Sequence, residues 1–141
     1  MKRTDYYEQI AKNLGHLHKK ITRIQGEILK QEDVSLMEYH ILIIISKMQK
    51  ASQNDLVREL DVDKALISRQ IQSMEQKGLI NCTCDPECRR QKVLTMTERA
   101  YLLLPRLEDI HRECLEHIFG GLDENQLDEM NCFLKGLNST V

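Results

Sequence analysis

The sequence predicts a mainly α-helical protein with a small β-hairpin wing. Three observations carry this prediction: apolar residues recur every three or four positions along most of the 141-residue chain, two short helical patterns are separated by a very tight turn, and the period then switches to two. With 41% hydrophobic and 30% charged residues, the composition is that of a globular protein rather than a disordered one. We predict a single domain spanning residues 1–141.

The first two helices are predicted from apolar periodicity and a capping signal. The first helix carries a stripe at spacings of three and four, namely Ile10, Leu14, Leu17, Ile21, Ile24 and Ile28. Ser35 and Glu38 then form an S-x-x-E capping box, which opens a second helix. Because that helix carries Ile41, Leu42, Ile44 and Ile45, we expect it to be central to the core.

Two short helices follow. Ser52 and Asp55 form the second capping box, and the first short helix ends at a turn over residues 61–63, where Asp61 tolerates a left-handed backbone. The second short helix places Leu66, Ile67, Ile71 and Met74 on its inner face and ends at Gly78. Two helices joined by so tight a turn form a helix-turn-helix.

After Gly78 the apolar period becomes two. Ile80, Cys82 and Cys84 alternate with polar residues, residues 85–87 form a turn, and a β-branched strand follows over 91–96. This hairpin is the wing of a winged helix-turn-helix over residues 35–98. Thr97 opens a further helix in which Pro105 should introduce a kink or mark the true start, and Asp123 with Gln126 caps a last helix.

The terminal helices predict a homodimer. Residues 1–34 and 99–141 carry apolar stripes that a module of about 60 residues cannot cover, and an obligate dimer interface resembles a domain core cut in half. We therefore interpret both segments as dimerisation helices of two chains related by two-fold symmetry.

One helix face predicts contact with double-stranded DNA. Lys64, Ser68, Arg69 and Gln72 lie opposite the apolar face of the second short helix, and such side chains match base edges in the major groove. An ordinary solvated face is the alternative, but the wing beside it carries Arg89 and Arg90, which suit a narrow minor groove. The start of the preceding helix offers backbone N–H groups to phosphate, at Ser52, Gln53 and Asn54.

Residues 60–80 (LDVDKALISRQIQSMEQKGLI), followed by DPECRR at 85–90 and LTMTE at 94–98, resemble the MarR (multiple antibiotic resistance regulator) family. The resemblance implies a dimeric regulator that binds a pseudo-palindromic operator, usually as a repressor, and is released by a small ligand or by thiol oxidation. It also implies base contacts around Arg69, minor-groove contacts from Arg89 or Arg90, and a ligand crevice between the dimerisation helices and the winged module. The family's wing usually reads D-x-x-D-R-R, and Cys88 replaces its second acidic residue here.

The wing cysteines are candidates for a thiol sensor, and three residues outside the wing are candidates for a ligand site. Cys82, Cys84 and Cys88 either pack in the hairpin or act as a thiol sensor, with Cys88 activated by the neighbouring arginines. A wing metal site is disfavoured because a fourth ligand is missing, so no metal or cofactor is predicted. Tyr39, His40 and His111 are hypothesised to line a ligand crevice. The alternative for Tyr39 is packing in the core, and the alternative for the two histidines is that hydrogen bonds satisfy them at a helix surface or an interface.

Composition and motifs narrow the function classes. The net charge of −2 is uneven: residues 1–96 carry a small positive excess, and the acidic excess lies after residue 96. The sequence shows no catalytic constellation and no stretch long enough to span a membrane, so we expect a cytoplasmic, non-enzymatic protein with five reduced cysteines. Two alternatives stay open: a metal-responsive regulator of the same fold, and a winged-helix adaptor that binds protein rather than DNA.

Overall fold

The computed structural model describes residues 1–87 and 90–140, which fall into two compact units. One unit combines residues 1–24 with the chain from His111 onward, and the other is Gln25–Ile110. Two long helices, α1 (Arg3–Lys30) and α5 (Glu98–Phe119), each contribute to both units. The single domain predicted over residues 1–141 stays a prediction.

The unit Gln25–Ile110 is a winged helix-turn-helix. After the end of α1 it contains the helices α2 (Leu36–Met48), α3 (Gln53–Leu60) and α4 (Lys64–Gln76), and the strands β1 (Ala51–Ser52), β2 (Ile80–Cys84) and β3 (Lys92–Met96). The predicted order of helix, helix-turn-helix and wing is confirmed. The predicted hairpin strands agree with β2 and β3 to within one residue at each end.

The sheet has one strand more than the sequence predicts. Its order is β1-β3-β2, and both pairings are antiparallel. Ala51 of β1 pairs with Leu94, and Leu94 pairs on its other side with Cys82 of β2. A two-residue strand has no periodicity of its own, so only its pairing with β3 identifies β1. This pairing ties the start of α3 to the base of the wing.

Local signals set the ends of the short helices as predicted. The three capping boxes, Ser35 with Glu38, Ser52 with Asp55 and Asp123 with Gln126, are all formed. Asp61 lies in the left-handed region with φ 51° and ψ 49°. Gly78 has φ 72°, and Leu79 N–H donates to the Met74 carbonyl at 2.9 Å, which is the bond that closes a Schellman turn.

The core of Gln25–Ile110 is built where the helices meet the sheet. Leu56 of α3 and Ile67 and Met74 of α4 are fully buried. They belong to one cluster with the inner residues of the other elements: Leu29, Ile41, Leu42, Ile45, Leu79, Leu94 and Leu107. Leu66, which the periodicity places on the inner face, is half-buried. This packing fixes the outward face of α4.

The unit formed by 1–24 and the chain from His111 contains the last helix, α6 (Glu124–Asn138). Every residue of α6 is exposed, and the same is true of Ile10 and Leu14 on α1. A groove of about 920 Å³ lies within this unit and is lined mainly by apolar side chains. These include Ile10, Leu14, Leu122, Met130, Phe133 and Leu137.

Pro105 does not mark the start of α5. The helix begins at Glu98 and runs through Pro105 to Phe119, so that alternative was wrong. Thr97 explains the earlier start, because its hydroxyl accepts the Ala100 N–H and its carbonyl accepts the Tyr101 N–H. None of the helices within residues 1–87 and 90–140 combines the length and apolarity needed to cross a bilayer.

Candidate nucleic-acid interface

The outward face of α4 is polar and exposed. Lys64, Ser68, Arg69 and Gln72 are all exposed, whereas Ile67 and Met74 on the opposite face are fully buried. Asp63 caps the helix by accepting the Leu66 N–H at 2.7 Å. The sequence-predicted DNA-contacting residues of α4 therefore share one accessible face.

The three residues predicted to hold phosphate, at the start of α3, differ in exposure and in their hydrogen bonds. Ser52 is only 9% exposed, and its hydroxyl accepts the Asp55 N–H at 3.1 Å. The Gln53 side-chain amide donates to the Lys64 carbonyl at 3.3 Å, which joins the beginnings of α3 and α4. Asn54 is exposed. Ser52 thus caps α3 and Gln53 joins α3 to α4, and their contact with phosphate stays a prediction.

The capping carboxylate of α3 has a lowered pKa. The Ser52 N–H donates to Asp55 Oδ2 at 2.8 Å, and this bond is the main reason why the pKa of Asp55 falls below 3.8. Burial opposes the shift, and Arg58, 2.7 Å from Oδ1, adds to it. A carboxylate with a lowered pKa stabilises the fold above its unfolded-state pKa and loses that contribution as the pH falls through the folded value.

We expect Asp55→Ala to lower the free energy of unfolding by about 1 kcal/mol at pH 7, because a capping box is lost. The difference from the wild type should begin to shrink as the pH falls below 3.8, the ordinary pKa of the group, because the unfolded state is protonated there first, and it should be lost as the pH falls through the lowered pKa of the folded state. Urea unfolding between pH 7 and pH 3 measures this. Glu59→Ala, an exposed acidic position on the same helix, is the control. A difference that is constant down to pH 3 would contradict the assignment.

An ion pair between a buried carboxylate and a half-buried lysine joins α2 to the end of α4. Glu38 is 2% exposed, and its Oε1 accepts Lys77 Nζ at 2.8 Å and Ser35 N–H at 2.9 Å. Its Oε2 accepts the Ser73 hydroxyl at 3.3 Å. The sequence predicts Glu38 only as a capping residue, because a contact across 39 positions leaves no local signal. This network sets where the far end of α4 lies against α2.

We expect Lys77→Met to lower the free energy of unfolding by about 2 to 4 kcal/mol, because it leaves the buried Glu38 carboxylate without its cation. Glu38→Gln/Lys77→Met should be more stable than Lys77→Met alone, since the neutral amide leaves no buried charge, its oxygen still accepts the Ser35 N–H, and its NH₂ group can donate to the Ser73 hydroxyl. Thermal and urea unfolding of the single and double variants gives both numbers. Equal free energies of unfolding for the single and the double variant would contradict this, because they would show that an unpaired Glu38 carboxylate does not destabilise the fold.

The wing is anchored to the end of α4. The Thr97 hydroxyl donates to the Gly78 carbonyl at 2.6 Å, and the Thr97 N–H donates to the Leu79 carbonyl at 3.1 Å. The Arg99 guanidinium donates to the Lys77 carbonyl. The start of α5 is therefore tied to the end of α4 by hydrogen bonds to three consecutive carbonyls, those of residues 77–79.

A cleft of about 300 Å³ separates the wing from α4. Gln53, Ser68 and Gln72 line it from the helices, and Cys82 and Lys92 line it from the hairpin. Sequence reasoning missed Lys92, although strand alternation places it on the same hairpin face as Cys82 and thereby offers a signal. Arg90 is exposed in the turn before β3. Arg89 lies outside the described residues.

The wing cysteines differ in environment. Cys82 is half-buried, and burial, together with the nearby Glu75 carboxylate, raises the pKa of its thiol. Cys84 is exposed. Cys88, on which the thiolate hypothesis rested, lies outside the described residues. Within residues 1–87 and 90–140, no group of three or more His, Cys, Asp or Glu side chains is arranged to hold a metal ion.

The residues suggested for a ligand crevice are divided between the two units. Tyr39 is buried in the core of Gln25–Ile110 and makes an edge-on ring contact with His40, with centroids 5.7 Å apart. Tyr39 thus lies in the core, where the packing alternative places it. His111 belongs to the other unit, and burial lowers the pKa of its imidazole. A ligand site formed by these three residues stays a prediction.

Known proteins share both the sequence pattern and the fold. A model of the MarR family matches residues 34–92. The chain is 23% identical over 122 residues to the HTH-type transcriptional repressor IacR of Pseudomonas putida, covering 86% of this chain and 73% of the relative. It is 27% identical over 124 residues to the HTH-type transcriptional regulator BilQ of Clostridioides difficile, covering 88% and 84%.

Solved structures show the same architecture along nearly the whole chain. An Escherichia coli MarR mutant complexed with operator DNA superposes with a TM-score of 0.85 at 14% identity, covering 97% of this chain and 99% of that one. Bordetella bronchiseptica BpsR, whose DNA binding is regulated by 6-hydroxynicotinic acid, superposes with a TM-score of 0.84 at 18% identity, covering 95% and 96%. The chain therefore matches the MarR family model over residues 34–92, is similar along most of its length to HTH-type transcription regulators, and has the winged helix-turn-helix fold of the solved MarR structures.

Proposed function

We propose that this protein is a homodimeric repressor that binds an inverted-repeat operator and leaves it when a small ligand binds or when a thiol is oxidised. The observation that carries the proposal is the exposed polar face of α4, which lies between the capped helix α3 and the wing. Each dimer would place two copies of α4 in successive major grooves, about 34 Å apart on one face of the duplex. MarR complexed with operator DNA supports this reading.

One set of residues would recognise the base sequence, and another would position the protein on the DNA backbone. Arg69, Lys64 and Gln72 would contact base edges, since Arg and Lys suit guanine and Gln suits adenine. Asn54 and the N–H groups at the start of α3 would hold phosphate. Arg90 and the neighbouring Arg89 would enter the minor groove, where negative potential attracts arginine.

Dimerisation would cover the apolar groove of the unit formed by residues 1–24 and the chain from His111. Phe133 is 71% exposed and Leu137 is 60% exposed, and an exposed patch of large apolar side chains marks an interaction site. A second copy of the chain presents the same patch, so a two-fold interface would bury both at once. BpsR, whose DNA binding a nicotinic acid derivative regulates, supports a small carboxylic acid as the class of releasing ligand.

The proposal is tested by selecting binding sequences from a pool of randomised 30-base-pair duplexes. We expect an inverted repeat whose half-sites are centred about 10 base pairs apart. Affinity for that duplex should fall steeply with salt, with log K decreasing by about 0.9 per neutralised phosphate for each unit of log[salt]. No enriched sequence, together with no retention of any duplex at low salt, would overturn the proposal in favour of a winged-helix adaptor.

A further inference from the structure

Cys82 and Cys84 form a pair of thiols on one face of the wing. They lie two residues apart on β2, and successive side chains of a strand point to opposite faces, so both lie on the same face. The sheet register places Cys82 opposite Leu94 and Cys84 opposite Lys92. Both thiols are free, with Cys82 half-buried and Cys84 exposed. Cys82 also lines the cleft between the wing and α4.

The strand geometry prevents a direct disulfide but permits a bridge through a third atom. Two residues of strand separate the Cα atoms by about 6.6 Å with nearly parallel Cα–Cβ bonds, whereas a disulfide needs Cβ atoms roughly 3.5 to 4.5 Å apart. Bonds of about 2.3 Å from a soft centre hold two sulfurs roughly 3.5 to 4 Å apart. Staggered χ1 rotamers that lean both side chains along the strand toward each other would bring the sulfurs close to that range.

We propose that Cys82 and Cys84 together bind trivalent arsenicals that carry one organic group. Such a compound, written R–As(OH)₂, needs two sulfur ligands and no more. Two As–S bonds form, two As–O bonds break, and the two thiol protons leave with the hydroxides as water. Arsenic stays trivalent, so the step requires neither an oxidant nor a reductant.

Occupancy of this pair would weaken operator binding, an effect that rests on the proposed function. The organic group on arsenic would lie at the cleft that Ser68 and Gln72 line from α4. Both side chains are on the face proposed to enter the major groove. A bulky group there, held rigidly by two bonds to the wing, excludes the duplex from this face.

Binding of an arsenical to Cys82 and Cys84 is tested on the full-length protein, with phenylarsine oxide as the probe and native mass spectrometry as the readout. We expect one adduct per chain that survives a large excess of glutathione and is removed by 2,3-dimercaptopropanol. The adduct should be lost in Cys82→Ser and in Cys84→Ser. It should persist in Cys132→Ser, which removes an exposed cysteine of α6, and in Cys88→Ser. An adduct that glutathione removes, or that persists in Cys84→Ser, would overturn the site.

The effect on DNA is measured separately, with the duplex selected above. The phenylarsenic adduct should raise the Kd of the wild type at least about tenfold and leave that of Cys84→Ser unchanged. Unchanged affinity of the fully loaded wild type would overturn the regulatory part of the proposal. If the untreated protein binds no duplex, the proposed function fails instead, and the adduct pattern alone decides whether the dithiol site exists.

Discussion

Arg69→Ala should weaken binding to the selected duplex by a factor of about 30 to 10⁴. One bidentate contact between arginine and guanine contributes about 1 to 3 kcal/mol, and a two-fold dimer loses two of them. Discrimination should also relax at one base pair in each half-site, because the residue that reads it is gone. Fluorescence anisotropy with the selected duplex and with single-position variants of it measures both effects.

Two further variants separate base reading from charge. Arg69→Lys keeps the positive charge but lacks the planar fork, so it should recover part of the affinity and little of the discrimination. Arg106→Ala removes another exposed arginine, which pairs with the half-buried Glu32 at 2.7 Å, and should leave binding within twofold of the wild type. If Arg69→Lys matches the wild type in both affinity and discrimination, Arg69 contacts phosphate and the base-reading assignment is wrong.

Phe133→Glu should dissociate the dimer. Burying a phenylalanine contributes about 1.5 to 3 kcal/mol, and a two-fold interface loses this contribution twice, or about 3 to 6 kcal/mol. Since about 1.4 kcal/mol corresponds to a factor of ten, the dimer Kd should rise by a factor of about 10² to 10⁴. Sedimentation velocity over a range of protein concentrations measures the change.

A matched variant tests whether the groove, rather than α6 in general, forms the interface. Asn131→Glu adds the same charge to the same helix at an exposed position and should keep the wild-type sedimentation behaviour. Because each half-site contact is weak alone, monomeric Phe133→Glu should also lose affinity for the selected duplex. A wild-type sedimentation coefficient for Phe133→Glu at micromolar concentration would rule out this groove as the dimer interface.

Local patterns predicted most of the winged module. The capping boxes at Ser35, Ser52 and Asp123, the left-handed Asp61 and the stop at Gly78 depend on neighbours within a few residues, so the sequence contains the whole signal. The polar face of α4 was equally predictable, because burial of Ile67 and Met74 on one side of a helix leaves Arg69 on the other. For Pro105 two alternatives were open, and the structure overturns only a helix start at that residue, since α5 continues through it.

The sequence by itself therefore determined the order of the elements, the ends of the helices and the face of α4 that is presented outward. Only the tertiary structure decided which distant residues meet: the pairing of β1 with β3, the contact of Glu38 with Lys77 across 39 positions, and the position of Lys92 in the cleft with Gln72. The physical reason is the separation along the chain between the residues that interact. Caps and amphipathic faces follow from helical spacing along the chain, whereas a strand pairing or a buried ion pair exists only after separate segments have packed together.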